Sequence, residues 1–102
     1  MSAESNDPVI SHLRHQISDN DRALVGLVCK RLELVATIKS YKARHGIDFL
    51  DAKREQWMLT YLHRVNRGPL SADGLDELFA DLLALTKREV ERMEVAEVGQ
   101  PA

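Results

Sequence analysis

No proline interrupts the chain between Pro8 and Pro69, and Gly26 is the lone glycine before Gly46. Across that stretch Leu13, Ile17, Leu24, Leu27, Val28, Val35 and Ile38 recur at helical spacing, with no alternation of the kind a strand requires. The expected fold class is therefore all-α, with three helices per chain and a long first helix. Asp7 reads as the N-cap of that helix and Pro8 as its first residue. Lys42, Arg44 and His45 occupy its last turn before Gly46, where cations oppose the helix dipole. Asp51 caps a second helix expected to reach about Asn66. After the Arg67-Gly68-Pro69 turn, Ser71 caps a third, expected to run to about Met93. Residues 1–7 and 96–102 are expected to be disordered, leaving a folded domain at 8–95.

A helix from Pro8 to Arg44 would be roughly 55 Å long at about 1.5 Å per residue. A compact domain of this size has a radius of gyration of only about 13 Å, so two shorter helices cannot cover the stripe. A homodimer is expected, with two long helices packed along each other. The alternative is a break at Gly26 that folds the segment into a four-helix monomer.

The balance of 14 Lys+Arg against 16 Asp+Glu argues against a nucleic-acid partner. No apolar run approaches the roughly 20 residues of a membrane span, and the amino end lacks the basic and apolar regions of a signal peptide. The single cysteine, Cys29, excludes an internal disulfide and any CxxC site. His12 and His15 have no nearby third ligand and read as a solvated pair, so no metal site is expected. Taken together these features suggest a cytoplasmic, single-domain protein.

The informative anomaly is charge where apolar residues belong. On a helical wheel Arg31 and Lys42 fall within about 40° of Leu24, in the middle of the first stripe, and Arg14 lies on its border. The second helix begins with Asp51, Arg54 and Glu55 on or beside its apolar face. On the third, Thr86 sits in the stripe of Leu75, Phe79, Leu82 and Met93, with Glu89 and Val90 on either side. An unpaired buried charge costs several kcal/mol. Ion pairs of Arg31 with Glu55 or Lys42 with Asp51 would lower that cost, as would Lys42 snorkelling to water. A bound dianion would account for the whole set, because cations outnumber the well-placed acids and arginine suits bidentate carboxylate binding.

The series Leu13-Arg14-x-x-Ile17-x-x-x-Asp21, Arg31 with Glu33-Leu34-Val35, Lys42, and Asp51-x-x-Arg54-Glu55 resembles the all-helical (type II) class of chorismate mutases over about residues 10–92. Gly68-Pro69-Leu70-Ser71 ahead of a helix with Leu78-Phe79 also resembles that family. The resemblance implies an intertwined helical-bundle homodimer with two sites inside the bundle. It implies conversion of chorismate to prephenate by a [3,3] Claisen-type rearrangement, on the route to phenylalanine and tyrosine. Arg31, and Arg14 from the other subunit, would bind substrate carboxylates. Lys42 would donate to the ether oxygen and a carboxylate. Glu55 and the main chain near Asp51 would hold the C4 hydroxyl, Arg54 would support the carboxylate arrangement, and Thr86 would lie near a carboxylate.

Where many members carry a Gln or Glu donor to the ether oxygen, this chain has Val90. Either Glu89 turns inward, protonated, to replace it, or a partner such as DAHP synthase reshapes the site. Rival readings are a mutase or lyase acting on 4-amino-4-deoxychorismate or isochorismate, and a helical regulatory module that kept the fold without the chemistry.

Overall fold

The computed structural model of the protein describes residues 6–99, with side chains described as far as Glu94. It contains three helices, α1 (Pro8–Arg44), α2 (Ala52–Val65) and α3 (Ala72–Gly99). The all-α class and the long first helix are as the apolar spacing predicts. Helix α1 runs through Gly26 without a break, so the four-helix alternative does not form.

Each helix starts where its capping residue places it. Asp7 Oδ1 accepts from the amides of Val9 at 2.8 Å and Ile10 at 3.2 Å, satisfying donors that have no partner within the helix. Asp51 Oδ1 accepts from Arg54 N at 3.0 Å, and Ser71 Oγ accepts from Gly74 N at 2.9 Å. Helix α1 closes at Gly46, whose φ of 65° is the left-handed conformation a side chain opposes. Ile47 N then donates back to Lys42 O at 2.8 Å, the long-range bond of a Schellman ending. Helix α3 continues six residues past the expected end at Met93, to Gly99. No proline or capping turn lies between those positions to stop it. Of the tail expected at 96–102, residues 96–99 therefore belong to this helix, while 100–102 lie outside the described residues. Residues 1–5 of the expected N-terminal tail also lie outside them.

The chain divides into two units, Met1–Glu33 and Leu34–Ala102. In the first, one length of α1 carries its apolar stripe exposed, with Leu13 50%, Ile17 59% and Leu24 55% accessible. In the second, α2 and α3 pack together. His63 pairs with Asp76 at 2.6 Å near the turn, and Glu55 faces Lys87 at 3.9 Å farther along, so the two helices run antiparallel. The buried described side chains are Leu75, Thr86 and Val90, all on one face of α3. No described helix is long and apolar enough to cross a membrane.

Candidate functional site

Lys42 lies in the last turn of α1, where the helix hands over to the 45–51 link. Its half-buried ammonium donates to the Phe49 carbonyl at 3.4 Å, a long and therefore weak bond. An amine held this way is oriented by the protein yet remains exchangeable for a ligand oxygen. Lys42 is thus not paired with Asp51, whose carboxylate is the cap of α2.

The α2 cap arranges the next residues. Asp51 O accepts from Glu55 N at 3.1 Å, placing Glu55 one turn inside the helix, half-buried and on the side that meets α3. Its carboxylate faces Lys87, a half-exposed cation, at 3.9 Å. Arg54 is exposed, and its guanidinium lies 4.4 Å from the centre of the Trp57 ring. On α3, Thr86 is buried and its hydroxyl donates to Leu82 O at 2.7 Å; Val90, one turn on, is 1% exposed. An aliphatic side chain therefore occupies the most enclosed described position on that face.

Glu89 does not turn inward to replace it. Its carboxylate accepts from Arg92 Nε at 2.9 Å and Arg92 Nη2 at 3.5 Å. That hydrogen bond and the charge of Arg92 hold the Glu89 carboxyl below the usual carboxylate range, which favours the ionised form that cannot donate.

Arg14 and Arg31 lie in the Met1–Glu33 unit. Arg14 is exposed, whereas Arg31 is half-buried, and burial pulls its guanidinium below its ordinary pKa. A cation so placed gains from an anion nearby.

Three residues that the wheel did not select join Lys42. Lys39 Nζ pairs with Glu94 Oε2 at 3.1 Å and lies 5.1 Å from the centre of the Phe49 ring. The available signal was the one-turn spacing of Lys39 and Lys42; Glu94 is distant in sequence and carried none. Among the described residues no group of three or more His, Cys, Asp or Glu side chains is placed to hold a metal ion. The arrangement offers positive charge and fixed hydrogen-bonding groups, which suit the orientation of an anionic ligand.

A family model described as chorismate mutase type II matches residues 13–96. The T-protein of Enterobacter agglomerans is 44% identical over 50 residues, which make up 49% of this chain and 13% of that protein, so the match spans a small part of the relative. The structure of chorismate mutase (Form II) from Thermus thermophilus is 30% identical, with a TM-score of 0.76, covering 81% of this chain and 94% of that one.

Proposed function

This chain belongs to the chorismate mutase type II family, and from that premise we propose that it is the isomerase that converts chorismate to prephenate. The reaction stays within one molecule: the ether C–O bond breaks while a C–C bond forms, and no atom is gained or lost. It needs no nucleophile, metal or cofactor. It needs the flexible substrate held in its folded, reactive shape, which removes an entropic part of the barrier. C–O cleavage runs ahead of C–C formation, so negative charge grows on the ether oxygen. A preorganised cation there favours the transition state over the ground state.

The observation that carries this reading is Lys42, half-buried and held through a weak bond to the Phe49 carbonyl. Lys42 exchanges that carbonyl for the ether oxygen and an adjacent carboxylate. Arg31 and Arg14 bind the two carboxylates, with Arg54 adding charge and Thr86 lining a carboxylate. Glu55 and the main chain beside Asp51 take the C4 hydroxyl.

Arg14 reaches the site from the second subunit of a homodimer. The support is the apolar stripe of the Met1–Glu33 unit, where Leu13, Ile17, Leu24 and Leu27 are half or more exposed in a single chain. A cytoplasmic setting accompanies this reading, as expected of a chain with one cysteine.

Loss of chorismate absorbance with purified protein, followed by product identification, tests the activity. Prephenate is expected. Pyruvate release, or turnover of the 4-amino analogue or isochorismate alone, would replace the reading with a related enzyme, and no turnover would leave a binding module. Val90 favours one extension, that DAHP synthase reshapes a site short of one donor. Adding that enzyme then raises kcat/KM, and an unchanged value over a wide concentration range removes the extension.

A further inference from the structure

Lys39 and Lys42 stand one turn apart near the end of α1, on neighbouring positions of one face. Two like charges at that spacing repel, and each ammonium has its own anchor. Lys39 Nζ lies 3.1 Å from Glu94 Oε2 and over the Phe49 ring, 5.1 Å from its centre. Lys42 Nζ donates to the carbonyl of the same Phe49 at 3.4 Å. One residue of the 45–51 link therefore serves both lysines, its ring taking Lys39 and its carbonyl taking Lys42. The Lys39 side chain is 23% exposed, so its pair with Glu94 is less screened than a pair on the open surface. All four residues lie in the Leu34–Ala102 unit.

We propose that Lys39 is a positioning residue for Lys42: pinned by Glu94, it holds the Phe49 ring in place, and the Phe49 carbonyl then holds the Lys42 ammonium in a preset position from which it passes to the ether oxygen. Its kinetic consequence rests on the reading of Lys42 given above; its geometric consequence does not. Without the Lys39 charge the ring loses its partner, the link gains freedom, and the Lys42 amine samples more rotamers. A misaimed catalytic cation lowers the rate of the chemical step more than it weakens binding, because its main gain comes in the transition state.

The test uses the full chain with lysine labelled at Cε, the Lys42 signal being assigned with Lys42→Arg. In Lys39→Met, and in Phe49→Leu, which keeps every charge, the Lys42 Cε and Hε signals are expected to move toward those of a freely rotating lysine. On chorismate, Lys39→Met is expected to lower kcat about tenfold with KM changed less than about threefold, as for lost orientation. Lys39→Arg restores both kcat and the Lys42 signals, and adding Glu94→Gln to Lys39→Met causes no further loss. Lys42 signals unchanged in both single variants overturn the proposal, as does a kcat loss that arginine fails to restore or a kcat that does not fall. If the unaltered protein does not turn over chorismate, the activity reading fails, and the spectra alone decide whether Lys39 positions Lys42.

Discussion

Lys42 and Lys39 show how unequal neighbouring residues are as sequence signals. Lys42 is legible because a lysine in the centre of an apolar stripe is costly and calls for a reason. Lys39 carries no such mark: its place follows from Glu94 and Phe49, which only folding brings to it. Lys42→Ala is expected to lower kcat by about 10²–10³-fold, the usual loss when one preorganised donor to a developing anion is removed, with the far-UV circular dichroism unchanged. Near-normal turnover would take the ether-oxygen role away from Lys42. Glu89 gives a contrasting expectation. Arg92 depresses its carboxyl, so any stability it contributes is present above the unfolded carboxylate pKa and lost as pH falls through the lower folded value. Lowered in this way, the Glu89 carboxyl is an acceptor at neutral pH in the free protein. Glu89→Gln should therefore leave the pH profile of kcat/KM unchanged near neutrality while flattening stability in acid; a flattened activity profile instead would return Glu89 to the site.

Helix starts at Asp7, Asp51 and Ser71 follow from local chemistry, since each side chain satisfies amides within three residues of itself. The end of α1 follows in the same way from Gly46. A Cβ added there would meet nothing within 4 Å, so the cost of Gly46→Ala is backbone strain at a φ of 65° and no steric clash. About 1 kcal/mol of stability should be lost, read as a lower denaturant midpoint with an unchanged slope. Because this turn sets the course of the 45–51 link that carries Phe49, kcat should fall as well; full activity in a destabilised Gly46→Ala would separate the turn from the site. The end of α3 was less legible. Nothing in its sequence stops the helix at Met93, and the extra turns appear because no competing signal intervenes.

For the molecule as a whole, the exposed stripe of α1 sets the expectation. If Arg14 acts across a homodimer, Arg14→Ala and Lys42→Ala subunits are each nearly inactive, but mixed and reassociated they regain activity. Random pairing makes half the dimers hybrid, each with one intact site of two, so recovery should approach about one quarter of the unaltered protein. No recovery, with mixed dimers shown by mass spectrometry, places Arg14 in its own subunit's site. Light scattering should give twice the mass of one chain. The helical period, the three caps, the uninterrupted α1 and the out-of-place cations were determined by the sequence itself, because each depends on residues within a turn or two of one another. The antiparallel pairing of α2 with α3, the facing of Lys87 and Glu55, the anchoring of Lys39 by Glu94 and the burial of Val90 were decided only by the tertiary structure. The reason is physical: a side chain's partner across a helix packing is chosen by the crossing of whole elements, and no local spacing encodes it.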